Sequence, residues 1–125
     1  MIKLTDRERE FVQSVKSRVS KGGSFVLSTN NKVYHGVPYE ALNWIHGEQN
    51  AIGSMLTEEG PTAKFKLILI ADSSKKIVMP CGMCRAAIMR YGTKGVVVLC
   101  TNQSLSAIKK YTISELYPHP YQEKE

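Results

Sequence analysis

The chain has 125 residues, of which 42% are apolar and 22% are charged, and its formal net charge is +6. This length predicts a single domain over residues 1–125, and the composition excludes a wholly disordered chain or a coiled coil. No apolar run approaches the roughly 20 residues of a membrane-spanning helix. Charges alternate where a secretion signal would be apolar, so we expect a cytoplasmic protein, and the dispersed basic residues make nucleic-acid binding a poor expectation.

The first half of the chain predicts a helix, a hairpin and a second helix. Apolar residues three and four positions apart predict an amphipathic helix over residues 5–19. Ser24–Thr29 and Lys32–Val37 have the composition of strands, and they flank Asn30-Asn31, a pair that tolerates the left-handed backbone of a tight turn. Helical spacing returns from about His46 to Leu56.

The second half alternates strands and helices. Phe65–Ile70 and Val96–Cys100 are continuous apolar runs typical of buried strands, and between them a helix is predicted from Pro80 to Gly92. Leu105–Lys110 is expected to form a short helix, and the tail over 111–121 to be irregular or briefly helical. This order predicts an α/β fold in which a mixed sheet has helices on both faces.

Two cysteines three positions apart, Cys81 and Cys84, suggest a reactive or metal-binding site. Three cysteines without a secretion signal argue against a disulfide framework. Cys81 and Cys84 near the start of a helix would lie on one face of its first turn, where the helix dipole favours thiolates. Alone, this spacing leaves a redox dithiol and half of a metal site open. With His46 at the start of another helix, the three residues form a set that Zn²⁺ accepts, with a fourth position open for water.

A carboxylate accompanies this set. Glu48 follows His46 by two residues and could hydrogen-bond the bound water, take its proton and pass that proton to a departing amine. The remaining metal-capable residues have simpler interpretations: Cys100 is expected in the core, and His35 and His119 are expected to be structural or exposed.

These segments resemble the cytidine deaminase family, the small zinc-dependent nucleoside deaminases. His46-Gly-Glu-Gln-Asn-Ala-Ile52 and Pro80-Cys-Gly-Met-Cys-Arg-Ala86 are similar to the two zinc motifs of that family. Gly23–Leu27, Gly36–Glu40 and Ser114–Tyr121 resemble its first hairpin and C-terminal segment. The resemblance implies a three-layer α/β/α sandwich with a five-stranded mixed sheet. It also implies zinc-dependent conversion of cytidine or deoxycytidine to uridine or deoxyuridine plus ammonia, in pyrimidine salvage, by a homotetramer.

The resemblance further implies roles for residues around the zinc site. Glu40 would bind a ribose hydroxyl, and the backbone at Gly47 and Cys81 would meet the base. Tyr121 would reach the pocket of a neighbouring subunit, and Arg85 would hydrogen-bond the ligand thiolates.

The chain departs from the family pattern on the nucleoside-binding side. Pro38 stands where the family has a ribose-binding Asn, the interval from Glu40 to His46 is about three residues shorter, and Ala86 replaces the usual Gln. The alternatives are therefore a deaminase of another aminated ring, such as a modified cytosine nucleoside or a blasticidin-like compound, and a non-catalytic zinc module that binds RNA or a partner protein. In that module Glu48 would have no task.

Overall fold

The structure, a computed structural model, describes residues 3–120 and contains a five-stranded sheet and a separate two-stranded ribbon. In chain order the elements are α1 (Asp6–Val19), β1 (Ser24–Ser28), β2 (Val33–Gly36), β3 (Tyr39–Glu40), β4 (Trp44–Ile45), α2 (Gly47–Glu59), β5 (Phe65–Ile70), α3 (Gly82–Tyr91), β6 (Gly92–Thr101), β7 (Ile108–Thr112) and α4 (Ile113–Leu116). Over the described residues, no helix is both long and apolar enough to cross a membrane.

The large sheet is mixed and has the strand order β2-β1-β5-β6-β7. β1 is antiparallel to both β2 and β5, β5 is parallel to β6, and β6 is antiparallel to β7. The predicted hairpin is confirmed, with Asn31 in its turn at a φ of 64°. The parallel pair joined by a helix is also confirmed, as is the mixed five-stranded sheet that the resemblance implies.

One predicted element is wrong. The sequence predicts a short helix over Leu105–Lys110, but residues 105–107 are irregular and the strand β7, which pairs with β6 from Val97 to Thr101, begins at Ile108. Leu105 has a φ of 61°, which a right-handed helix does not accept, and the side-chain oxygen of Asn102 accepts a hydrogen bond from the Ala107 N–H at 3.2 Å. Pairing with the edge of β6 satisfies backbone groups that an isolated helical turn would leave open, so it outweighs local helix propensity.

Helices cover both faces of the sheet because side chains alternate along each strand. On one face, α1 buries its apolar stripe against alternate residues of three strands, and these packed side chains are Phe11, Val12, Val15, Val19, Phe25, Leu67, Leu69 and Leu99. On the other face, α2, α3 and α4 pack on the intervening strand residues. The buried side chains of this layer include Val26, Ile68, Ile70 and Val98 from the strands and Ala51, Ile52, Met55 and Ile88 from the helices. This is the predicted three-layer arrangement, and it brings the starts of α2 and α3 to the same side of the sheet.

Candidate active site

On that side of the sheet, α2 and α3 begin beside each other, and residues at their starts form a cluster of metal-binding groups. His46 is the N-cap residue of α2, Cys81 is the N-cap residue of α3, and Cys84 lies in the first turn of α3. His46 Nδ1 lies 3.2 Å from Cys84 Sγ and 3.3 Å from Cys81 Sγ. The three donor atoms all lie within 4.8 Å of one another, so the structure brings together the residues that the sequence predicted.

The geometry of this cluster fits a zinc ion. Tetrahedral bonds of roughly 2.3 Å to sulfur and 2.0 Å to nitrogen place neighbouring donor atoms about 3.5–3.8 Å apart. The observed separations are close to these values, and two sulfurs with one imidazole nitrogen are a typical donor set for zinc. Burial, reinforced by Glu48 and Cys81, raises the pKa of the Cys84 thiol, so a bound cation is needed to hold this sulfur as a thiolate.

Glycines allow α2 to approach the hairpin closely enough to place His46. A Cβ atom on Gly47 would lie 2.9 Å from the Gly36 carbonyl oxygen, and one on Gly36 would lie 2.2 Å from the Ala51 nitrogen. Neither position has room for a side chain. The observed role of Gly47 is this close packing, and its contact with a substrate base stays a prediction.

Glu48 lies beside the cluster and is almost completely buried. Only 2% of the surface of Glu48 is exposed, and Ser24 is fully buried. The Ser24 hydroxyl donates a 2.7 Å hydrogen bond to Oε1 of Glu48. A buried carboxylate needs such partners because leaving it without hydrogen bonds would cost several kcal/mol. The hydrogen bond therefore fixes the carboxylate at the cavity wall, close to His46 and Cys81.

A second carboxyl group, which the sequence analysis did not single out, lies in the same cavity wall. Asp72 follows β5, and its Oδ1 is buried without a hydrogen-bond partner among the described residues. Burial and then the neighbouring Glu48 carboxylate raise the pKa of Asp72 to about 6, although His46 and the Gly23 N–H act in the opposite direction. A signal was present in the sequence, because Asp72 is the first charged residue beyond the carboxyl end of a parallel strand, where ligands bind in open α/β sheets. Ser24 had no comparable signal.

The cluster opens into a cavity of about 320 Å³, a volume that suits a small-molecule ligand. Its lining residues are Pro38, Trp44, His46, Glu48, Asp72, Val78, Met79 and Cys81.

Glu40 and Arg85 are the other described residues for which the resemblance implies a role through the side chain. Glu40 is exposed on β3, where it pairs with Trp44 of β4, and it is not among the residues that line the cavity. Arg85 donates hydrogen bonds of 2.7 Å to the carbonyl oxygens of Pro80 and Leu116, which ties α3 to α4. The roles of Glu40 toward ribose and of Arg85 toward the thiolates stay predictions. Tyr121 lies outside the described residues.

The three residues with simple interpretations are where the sequence predicted them. Cys100 is fully buried in the core. His35 has its Nε2 at 2.8 Å from the Gly22 carbonyl oxygen and stacks its ring on Phe25 with a centroid distance of 4.0 Å, so it is structural. His119 is exposed.

Comparisons with known proteins agree with this geometry. Residues 7–100 match the family model described as the cytidine and deoxycytidylate deaminase zinc-binding region. The chain is 29% identical over 94 residues to a cytidine deaminase from Mycoplasma pneumoniae, covering 73% of this chain and 70% of the relative.

Similar folds occur in solved structures. A cytidine deaminase from Burkholderia pseudomallei superposes with a TM-score of 0.76 at 19% identity, covering 94% of this chain and all of that one. A cytidine deaminase from Mycobacterium tuberculosis gives a TM-score of 0.70 at 14% identity, covering 96% of this chain and all of that one. The family match spans most of the chain and includes His46, Glu48, Cys81 and Cys84. The chain therefore belongs to the cytidine and deoxycytidylate deaminase zinc-binding family.

Proposed function

We propose that the chain is a zinc-dependent hydrolytic deaminase that converts cytidine or deoxycytidine to uridine or deoxyuridine and ammonia. The observation that carries the proposal is the position of the buried Glu48 carboxylate in the cavity wall, beside the cluster of His46, Cys81 and Cys84. A zinc site that only stabilised the fold would normally fill its fourth position with a protein ligand and would not need a buried carboxylate in an open cavity.

The proposed reaction is a hydrolysis in which atoms balance. One water molecule adds to the ring carbon that bears the amino group, the carbon–nitrogen bond breaks, and the products are a ring carbonyl and ammonia. His46, Cys81 and Cys84 would hold the zinc ion. When bound, the ion supplies Lewis acidity that makes water easier to ionise near neutral pH.

Glu48 would move the protons. Its carboxylate would accept a proton from the attacking water and deliver it to the ring, and would then transfer a second proton to the departing amino group. Each such transfer typically contributes about 10²–10⁴-fold to the rate. The Ser24 hydroxyl keeps Oε1 in a fixed position, so the carboxylate does not have to reorient from solvent before it acts.

The proposal is tested by measuring ammonia release from cytidine and deoxycytidine with zinc-loaded protein. The same preparation stripped of metal should be inactive, and activity should return when zinc is added back. Zinc-loaded protein that releases no ammonia from any aminated nucleoside or base would contradict the proposal. The non-catalytic alternative would then be preferred.

We also propose that residues 1–125 form one domain that acts as a cytoplasmic homotetramer in pyrimidine salvage. The proposal of an oligomer is supported by large apolar side chains outside the cavity that are exposed on the 37–42 segment and at the start of α3, namely Val37, Tyr39, Leu42 and Met83. Contiguous exposed apolar groups are typical of surfaces that another chain covers. Sedimentation velocity over a range of concentrations tests this, and a monomer at all concentrations would contradict it. Leu42→Glu should weaken the assembly, because Leu42 is 98% exposed in the isolated chain.

A further inference from the structure

The side chains that line the cavity divide into two chemical groups. The polar ones are His46, Glu48, Asp72 and Cys81. His46 and Cys81 belong to the metal cluster, with Nδ1 of His46 3.3 Å from Sγ of Cys81, and Glu48 and Asp72 are neighbours in the wall of the same cavity. The remaining lining side chains are apolar, and they are Pro38, Trp44, Val78 and Met79.

If the amino-bearing ring faces the metal cluster, the sugar or other group attached to that ring lies against the apolar side chains. His46 and Cys81 would be engaged by the metal, and Glu48 by the attacking water and the departing amine, while Asp72 lies beside Glu48. Among the described residues, Pro38, Val78 and Met79 offer no strong hydrogen-bonding side-chain group, and Trp44 offers only its indole N–H. A ribose with several hydroxyls buried against them would lose more hydrogen bonds to water than these side chains replace, which is unfavourable. Pro38 has no side-chain donor, and Glu40, the nearest acidic residue along the chain, is exposed outside the lining.

Trp44 is the largest side chain in this wall. It belongs to β4, whose only strand partner among the described residues is β3, and 59% of its surface is exposed. An indole with an accessible face can pack on a ring or on a sugar without reading hydroxyl groups, because stacking depends on the face and not on hydrogen-bond positions.

We infer that this site recognises an amino-bearing pyrimidine whose attached sugar or other group has few hydroxyls. This inference rests on the proposed deamination. Trp44 and Pro38 set this selectivity by apolar contact. The ribose hydroxyls of cytidine contribute little to its binding.

The expected magnitudes separate this inference from ribose recognition by hydrogen bonds. A site built to hydrogen-bond a substrate hydroxyl rejects the analogue without it by about 10⁴–10⁵-fold, whereas an apolar pocket discriminates against an added hydroxyl by only about 10²-fold or less. A hydrogen-bonding site would therefore prefer cytidine over its dideoxy analogue, whereas an apolar pocket would prefer the dideoxy analogue.

The test measures binding apart from chemistry. Dissociation constants for cytidine, 2′-deoxycytidine and 2′,3′-dideoxycytidine are measured by calorimetry on zinc-loaded Glu48→Gln protein, which keeps the cavity but lacks the proton-transfer carboxylate. We expect 2′,3′-dideoxycytidine to bind at least as tightly as cytidine. Cytidine binding more than tenfold tighter, or no binding of the dideoxy compound, would overturn the inference.

Variants of the wall then test the residues. In the Glu48→Gln background, Trp44→Ala should weaken all three ligands alike by about tenfold or more, and Trp44→Phe should recover most of the loss. Pro38→Asn should shift the ratio of affinities toward cytidine by at least about threefold. Pro61→Asn is the matched control, because Pro61 does not line this cavity, and it should leave the ratio of affinities unchanged. Unchanged affinities in Trp44→Ala would overturn the role of the indole, and an unchanged ratio in Pro38→Asn would overturn that of the proline.

Ammonia release by the wild-type protein separates failure of this inference from failure of the proposed function. If the binding order holds but no ammonia appears, the deamination is wrong and the recognition stands. If ammonia is released with a strong preference for ribose hydroxyls, the deamination stands and the inference on selectivity is wrong. Zinc content and circular dichroism of each variant show whether its fold and metal cluster are intact.

Discussion

Ser24 donates a 2.7 Å hydrogen bond from its hydroxyl to Oε1 of Glu48, and both residues are buried. The bond joins the first residue of β1 to the first turn of α2, so the sheet itself holds the carboxylate in place. Hydrogen bonds to charged groups contribute about 1.5–3 kcal/mol, and we expect Ser24→Ala to lower kcat by roughly 10–100-fold. KM and zinc content should change much less.

Ser28→Ala is the matched control for this substitution. Ser28 is a buried serine on the same strand, but its hydroxyl accepts hydrogen bonds from the Asn30 and Lys32 N–H groups in the hairpin turn. Its loss should lower stability and leave kcat unchanged. Equal kcat values for the Ser24→Ala protein and the wild type would show that the hydroxyl does not position Glu48.

Asp72 should reduce the stability of the metal-free protein as pH rises. Its pKa is raised to about 6 in the folded chain from an ordinary value of 3.8. Between these values the unfolded chain binds fewer protons at this residue, so the contribution of Asp72 to folding becomes less favourable as pH increases. Asp72→Asn should therefore gain stability relative to the wild type on going from pH 4 to pH 7, measured by urea unfolding of metal-depleted protein. A stability difference between Asp72→Asn and the wild type that does not vary with pH would contradict the expectation.

The three cysteines should differ in their effect on zinc content. Cys81→Ala and Cys84→Ala each remove one donor of the cluster, so both should lose stoichiometric zinc and activity. Cys100→Ala is the control, because Cys100 lies in the buried core of β6 and is not part of the cluster. It should retain zinc while losing some stability. Metal analysis by mass spectrometry checks this, and full zinc occupancy in Cys84→Ala would contradict the assignment.

The fold itself has an acid-sensitive contact between α1 and β7. Glu8 accepts a 2.8 Å hydrogen bond from the Lys110 ammonium. Burial acts to raise the pKa of Glu8, but hydrogen bonds from Lys110 and from the Thr5 N–H outweigh it and hold the pKa below its ordinary value of 4.5. Because the folded pKa is the lower one, this contribution is present above about pH 4.5 and is lost as pH falls through the folded pKa.

Glu8→Gln should therefore destabilise the protein by about 1–2 kcal/mol at pH 7 and by less at pH 3. Glu10→Gln, an exposed residue on the same helix, should have little effect at either pH. Chemical denaturation at the two pH values checks this. A loss for Glu8→Gln that is as large at pH 3 as at pH 7 would show that its charge is not responsible.

The sequence predicted those elements whose residue pattern follows from their own burial. The apolar stripe of α1 and the continuous apolar runs of β5 and β6 each reflect one packed surface, so local periodicity was sufficient. β7 was missed because its sequence, with the adjacent lysines Lys109 and Lys110, does not alternate between apolar and polar residues, and its strand conformation depends on pairing with β6. The β3–β4 ribbon, with two residues in each strand, left no periodic signal.

The site shows the same division between local and tertiary information. His46, Cys81 and Cys84 could be predicted because donor types at helix starts carry their chemistry in short motifs. Ser24 could not, since it becomes part of the site only when the start of β1 meets the start of α2. Asp72 carried only the weaker signal of a charged residue just beyond the end of a predicted strand. Val78 and Met79 lie in the segment before α3, where nothing in the sequence indicates that they face a cavity.

The most direct test of the central claim compares ammonia release from cytidine by zinc-loaded wild-type and Glu48→Gln protein, with zinc content measured on the same samples. Glu58→Gln serves as the control, because Glu58 is an exposed residue of the same helix. We predict that Glu48→Gln keeps full zinc occupancy and loses activity by about 10⁴-fold or more, whereas Glu58→Gln behaves like the wild type. A Glu48→Gln protein that binds zinc and still releases ammonia at a rate close to that of the wild type would contradict the claim.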